Sequence, residues 1–228
     1  MTQDELKAQA ALAAVQYVQP GQIIGVGTGS TVNHFIAALA AMPRKVAAAV
    51  SSSQTSTARL AAAGIAVLPA HEAPELAVYI DGADEIDPHG HMIKGGGGAL
   101  TREKIVAAQA ARFICIADES KQVQTLGRFA LPVEIIPMAA AALTRRFATL
   151  GGQARLRMSG EQPYVTDNGL HILDVHGLQI ADPLAFELET SQWPGIVTVG
   201  VFARQRAHIC LLARPEGVQT LMFAPPAQ

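Results

Sequence analysis

Short, largely apolar runs recur through the first half of the chain at Gln22–Val26, Lys45–Val50, Ile65–Leu68, Leu76–Ile80 and Phe113–Ala117. Apolar runs without alternation suit parallel strands covered on both faces, where both rows of side chains are buried. Helical segments separate most of these runs. Thr2 and Glu5 have the spacing of a capping box and open an Ala-rich helix that ends near Pro20 and Gly21. A second helix is predicted from about Thr31 to Met42. The expected class is α/β, an open, mostly parallel sheet with helices on both faces.

Beyond about Gly127 the pattern changes. Leu131–Ile136 reads as a strand, Met138–Leu150 as a helix closed by Gly151 and Gly152, and Ala154–Met158 and Tyr164–Thr166 as further strand. Asp167-Asn168-Gly169 signals a hairpin with a two-residue primed turn, returning through His171–Val175. Pro183–Thr190 is a predicted helix and Ile196–Phe202 a last strand, so the order β-α-β-β-α-β predicts a ferredoxin-like α+β subdomain over 128–204. Residues 1–127 and 205–228 then form the α/β catalytic domain, with Ala207–Ala213 returning to the first sheet.

Half of the 228 residues are hydrophobic and 16% are charged, enough apolar side chain for a well-buried core. A net charge of −2 without a basic block argues against nucleic-acid and anionic-membrane partners. Met1–Lys7 carries acids where a secretory leader needs cations, and no stretch of about 20 residues is apolar enough to span a bilayer. Cys115 and Cys210 lie in apolar runs without metal-type spacing. Buried free thiols are expected, and with them a cytoplasmic location.

Three segments carry candidate chemistry. Gly25-Val26-Gly27-Thr28-Gly29-Ser30-Thr31 follows a strand and opens a helix, where bare N–H groups form an anion site and Ser30 and Thr31 add hydroxyls. A dinucleotide fingerprint would need a glycine where Ser30 stands and an acid where Ser51–Ser53 stand; a Walker loop would need a lysine the segment lacks. The turn is compatible with phosphate binding and equally with a tight structural turn.

The second segment, Asp81-Gly82-Ala83-Asp84-Glu85-Ile86-Asp87, places four carboxylates in seven residues after an apolar strand. That is the carboxyl edge of a parallel sheet, where open α/β folds bind ligands. Crowded carboxylates suit acid–base chemistry. The alternatives are a solvated acidic turn with an Asp cap, or a metal site completed by His89 and His91, although the spacing matches no calcium loop.

The third is Ile93-Lys94-Gly95-Gly96-Gly97-Gly98-Ala99-Leu100-Thr101-Arg102-Glu103-Lys104. Four consecutive glycines cost backbone entropy and bring no packing, so something besides stability favours them. Their bare N–H groups can surround an oxyanion or sugar hydroxyls, with Lys94 as a cation at the entrance. A helix from Ala99 puts Glu103 about one turn in. In isolation, Glu103 and Lys104 read as ordinary helix-surface charges.

Together, Gly27–Thr31, Asp81–Asp87 and Lys94–Lys104 resemble the three signatures of the A-type ribose-5-phosphate isomerase family. Ser51–Ser53, Phe113–Asp118, Lys121, Pro132–Glu134 and Val165–Gly169 resemble it too, so the likeness runs in order from about residue 5 to 220. Gly160–Tyr164 looks slightly longer than the family's usual loop, and the tail Phe223–Gln228 carries no family feature.

The resemblance implies interconversion of D-ribose 5-phosphate and D-ribulose 5-phosphate through an enediolate, in the non-oxidative pentose phosphate pathway. It implies no metal, no organic cofactor and a homodimer or larger oligomer. By motif position Glu103 is the base, with Asp81, Asp84 and Lys94 joining it in the chemistry. Thr28, Gly29, Ser30, Thr31, Asp81, Gly82, Ala83, Asp84, Lys94, Gly95, Gly96, Gly97 and Lys121 are the implied substrate contacts, with Lys7 an alternative cation for the phosphate. A sugar-phosphate sensor on the same sheet should carry a DNA-binding extension, and no such element precedes the sheet. An amino-sugar phosphate deaminase or CoA transferase should lack the paired Asp-Gly-Ala-Asp and Lys-Gly-Gly-Gly motifs.

Overall fold

The structure, a computed structural model, describes residues 1–223; residues 224–228 of the tail noted above lie outside it. The helices are α1 Gln3–Ala14, α2 Ser30–Ala40, α3 Gln54–Ala62, α4 Leu100–Ala108, α5 Ala140–Thr149 and α6 Pro183–Thr190. The strands are β1 Ile23–Val26, β2 Ala48–Ser51, β3 Tyr79–Asp81, β4 Glu85–Ile86, β5 Met92–Ile93, β6 Phe113–Asp118, β7 Leu131–Ile135, β8 Gln153–Leu156, β9 Met158–Ser159, β10 Gln162–Pro163, β11 His171–His176, β12 Ile196–Val199, β13 Val201–Phe202, β14 Ile209–Arg214 and β15 Gly217–Met222. They form two compact units. The first comprises Met1–Ala83, Arg102–Lys121 and the chain from Ala207 on, and the second Asp84–Thr101 and Gln122–Arg206.

In the first unit one sheet has the order β15-β14-β6-β3-β1-β2. Every pairing is parallel except that of the edge strand β15 with β14. Alternation along the strands sorts the two faces. Ile24, Val26, Ile80, Ile114 and Ile116 join Leu6 and Ala10 of α1 and Phe35 and Leu39 of α2 in one core. Gly25 and Tyr79 face the other way, where a Cβ on Gly25 would come within 2.8 Å of Val106 on α4. Helices therefore cover both faces, as expected. The capping box forms: Thr2 N–H donates to Glu5 Oε2 at 2.7 Å and Glu5 N–H to Thr2 Oγ1 at 3.2 Å.

Two strands are shorter than their apolar runs suggest. Ile65–Leu68 makes only a single bridge, Val67 to Ala49, at the edge beyond β2. In Leu76–Ile80 the ladder is confined to Tyr79 onward, with Leu76 bridging Ala110 alone. Strand β3 consequently ends on Asp81, which places that carboxylate in the sheet rather than in the loop after it.

The second unit contains β7-α5-β8-β11-α6-β12 in a sheet ordered β12-β7-β11-β8, antiparallel throughout. This is the ferredoxin-like arrangement. Leu131, Val133, Ile135, Leu173 and Val175 pack on Leu143 and Phe147 of α5 and on Trp193. Tyr164–Thr166 is not strand, and the turn after it differs from the primed type expected. Gly169 N–H donates to Thr166 O, and only Gly169 has positive φ, at 75°. A type I turn followed by a left-handed glycine spares Asn168 the strained conformation that a primed turn would impose. The predicted strand Ile196–Phe202 breaks at Gly200, so β12 joins the four-stranded sheet while β13 pairs with β5 in the sheet β13-β5-β4.

Candidate active site

In the first unit β1 has β2 on one side and β3 on the other, so the chain reverses direction across the sheet there. The crevice beyond the carboxyl ends of strands at such a switch point is where open α/β sheets bind ligands. Gly27–Ser30 leaves β1 at this point and Asp81 closes β3. They approach so closely that a Cβ on Gly27 would overlap the Asp81 carboxyl group. Asp81 is fully buried; its Oδ1 accepts from the Thr28 N–H at 3.0 Å and the Gly82 N–H at 2.7 Å. Oδ2 accepts the phenolic hydrogen of Tyr79.

Tyr79 is two residues before Asp81 and on the same face of β3. Glu103 lies one turn before Val106 on the face of α4 that packs on Gly25, and is 3% exposed. Burial first, then the charges of Asp81 and Glu103, push the Tyr79 phenol well above its ordinary pKa. The phenol thus stays a hydrogen-bond donor, and two carboxylates share its neighbourhood.

The Thr28 hydroxyl is engaged inside the unit, against Ser53 Oγ and 2.9 Å from Ser56 Oγ, while Ser56 Oγ donates to Gly27 O at 2.7 Å. Gly29 caps α2 with φ 116° and supplies no side-chain acceptor, and Gly29 and Ser30 are exposed. Lys121 follows β6 at the same edge of the sheet. Gln3 of α1 reaches Asp118 Oδ2 and Ser120 Oγ there, each at 3.4 Å, and Lys7 is one turn further along the same helix face. A separate cavity of about 470 Å³ is lined by Ser51, Leu68, Arg102, Ile105 and Val106, and none of the carboxylates lines it.

In the second unit the rest of the acidic segment divides by role. Asp84 accepts the Gly96 N–H through Oδ2 at 2.7 Å. Glu85 is fully buried and accepts the Gly127 and Phe129 amides at 2.8 and 2.6 Å. Asp87 accepts the amides of His89 and His91 at 2.8 and 2.9 Å and pairs with His91 Nδ1 at 2.9 Å. Burial works against the Asp87 carboxylate, yet the bonds from the His91 ring and the two amides hold its pKa below the ordinary aspartate value. The segment is therefore not a solvated turn; Glu85 and Asp87 are consumed by internal donors. Lys94 is 2% exposed, with Nζ 5.5 Å from the centre of the Phe202 ring. Gly96 and Gly97 are exposed.

Residues 48–217 match the family model described as ribose 5-phosphate isomerase A (phosphoriboisomerase A). The chain is similar to the ribose-5-phosphate isomerase A of Albidiferax ferrireducens, 66% identical over 98% of this chain and 95% of that protein. The chain belongs to the ribose 5-phosphate isomerase A family. Among solved structures, that of ribose 5 phosphate isomerase A from Neisseria gonorrhoeae superposes with a TM-score of 0.94 at 46% identity, covering 98% of this chain and 99% of that one. A D-ribose-5-phosphate isomerase in complex with phospho-erythronic acid superposes at 0.93 with 34% identity, covering 97% and 100%.

Membership in the ribose 5-phosphate isomerase A family bears out the activity expected from the motifs, isomerisation of a five-carbon sugar phosphate. Three members of the local machinery escaped sequence reasoning. Tyr79 sits in an apolar strand and passes for core; the signal was that a buried phenol needs a partner and that Asp81 shares its face. Arg157, which holds the glycine segment, and Asp174, which holds Arg157, lie 62 and 79 residues beyond Gly95 in the sequence, and no local pattern marks them.

Proposed function

We propose that the chain interconverts D-ribose 5-phosphate and D-ribulose 5-phosphate through an enediolate, with Glu103 as the base that moves a proton between C2 and C1. The observation that carries this is the Tyr79–Asp81–Glu103 cluster at the switch point of the first unit, two buried carboxylates beside one obligate donor. Base catalysis of this kind is worth roughly 10²–10⁴ in rate. To Asp81, whose two oxygens already hold three donors, we assign proton movement during ring opening.

The sugar's phosphate is assigned to the N-terminus of α2. Its unpaired first-turn amides, the absence of a side-chain cap and the hydroxyls of Ser30 and Thr31 suit an anion there, with Lys121 or Lys7 as the cation. Gly82 and Ala83, which follow Asp81, contact the sugar. To Lys94 and the amides of Gly95–Gly97 we assign the oxyanion of the enediolate, and to Asp84 the orientation of the loop that bears them, since it holds the Gly96 N–H. No metal or organic cofactor enters this scheme.

A homodimer in the cytoplasm completes the proposal. The two thiols, both free and buried, suit a reducing compartment. Incubation with ribose 5-phosphate, with ribulose 5-phosphate followed by its ketose absorbance, tests the activity; absence of turnover by the folded protein would refute it. Light scattering at the monomer mass would remove the dimer.

A further inference from the structure

Arg157, in the link between β8 and β9, grips the glycine segment from behind. Its Nε and Nη2 donate to the two oxygens of Asp174 on β11, at 2.9 and 2.5 Å. Its Nη1 donates to two successive carbonyls, Gly95 O at 3.1 Å and Gly96 O at 3.0 Å. The side chain is 15% exposed. Tyr164 adds to the grip: its hydroxyl lies 3.4 Å from Gly97 O, and a Cβ on Gly98 would collide with its ring.

A glycine run has no conformational preference strong enough to hold one arrangement of its peptide planes. In a trans peptide the C=O and the following N–H point in opposite directions, and the described residues contain no cis bond. Drawing the Gly95 and Gly96 carbonyls toward Arg157 therefore turns the Gly96 and Gly97 N–H groups away from it. The Gly96 N–H ends on Asp84 Oδ2. By the same geometry the Gly97 N–H points away from Arg157, on an exposed residue. The planar, fixed fork of a guanidinium makes all four contacts at once, whereas an ammonium has three donors on a single nitrogen.

We infer that Arg157, clamped by Asp174, is a positioning residue that sets the direction of the Gly97 amide and so prepares it for the developing oxyanion. The inference rests on the proposed isomerase chemistry for its consequence, though not for its geometry. An oxyanion donor acts mainly in the transition state, so its misalignment lowers kcat rather than raising KM.

The test compares Arg157→Lys with the unsubstituted protein. A roughly 10- to 100-fold fall in kcat is expected, with KM for ribose 5-phosphate within about threefold. Affinity for phospho-erythronic acid, whose carboxylate offers two oxygens where an enediolate would, should fall in step with kcat. In the same samples the Gly98 amide, which donates to Gly95 O at 2.9 Å, should exchange its hydrogen faster as the loop loosens. Unchanged kcat, or a lower kcat without faster Gly98 exchange, overturns the inference. If Arg157→Lys does not fold, Asp174→Asn, which loosens the clamp while keeping Arg157, should show the same pattern more weakly, and normal kcat and exchange there overturn it. Should the unsubstituted protein not isomerise ribose 5-phosphate, the functional proposal fails, and the exchange measurement still decides whether Arg157 orders the loop.

Discussion

The phenol of Tyr79 donates its hydrogen to Asp81 Oδ2, with both side chains fully buried at the end of one strand. Burial and the nearby carboxylates keep this phenol protonated well past its ordinary pKa. In the unfolded chain it ionises near 10. The folded value is the raised one, so stability from this group is complete below about pH 10 and is lost as pH rises through that value, by up to about 1.4 kcal/mol per pH unit. Urea unfolding between pH 8 and 11 should show the stability gap between the unsubstituted protein and Tyr79→Phe narrowing above pH 10. A gap that stays constant across that range would mean that Tyr79 titrates normally in the fold.

Glu103 is buried beside the same phenol, on the helix that follows the glycine segment. If it carries the proton between C2 and C1, its amide analogue keeps the shape and loses the base. Glu103→Gln should lose at least ~10³ in kcat with KM nearly unchanged, because the transfer is needed only in the transition state. Near-normal turnover would show the base to be another group. Full unfolding curves should accompany the kinetics, so that a folding defect is not mistaken for lost chemistry.

Gly27 leaves no room for a side chain, since a Cβ there would fall on the Asp81 carboxyl group. Asp81 is fixed by three donors and has no slack to retreat. Gly27→Ala should therefore cost about 1–3 kcal/mol in stability, the usual range for overpacking, and should lower kcat by displacing Asp81. Gly21, which has open space around it, is the comparison: Gly21→Ala strains only its own backbone at φ 79° and should leave kcat unchanged. Equal kinetic effects of the two substitutions would remove Asp81 placement as the cause.

How much of this was legible in the sequence depended on the range over which each contact acts. The parallel sheet, the ferredoxin-like order and the position of Glu103 within α4 follow from periodicity and from motifs only a few residues wide, which local physics governs. The strand end at Asp81 was missed by one residue because the apolar run stops at Ile80 while the ladder does not. The hairpin with a primed turn at Asn168 was expected from residue types alone; Tyr164–Thr166 forms no strand, and the Thr166–Gly169 hydrogen bond that selects the other turn belongs to the folded loop. The Arg157 clamp joins residues more than 60 positions apart. An arginine inside the short predicted strand Ala154–Met158 carries no mark of what it will hold.

The N-terminus of α2 offers the last test. Gly29 sits at φ 116°, where its own lack of a side chain leaves the first-turn amides facing out, and Ser30 and Thr31 follow with hydroxyls. A hydrogen bond to a charged group is worth about 1.5–3 kcal/mol, and 1.4 kcal/mol is tenfold in affinity. If the phosphate binds there, Thr31→Ala should raise KM for ribose 5-phosphate about tenfold or more. Because the phosphate is remote from the reacting carbons and is bound alike in ground and transition states, kcat should stay within about twofold. Inorganic phosphate should inhibit the unsubstituted protein competitively, and its inhibition constant should rise in parallel in the variant. A loss confined to kcat, with phosphate inhibition untouched, would move the anion from α2 and leave the glycine turn with a purely structural role.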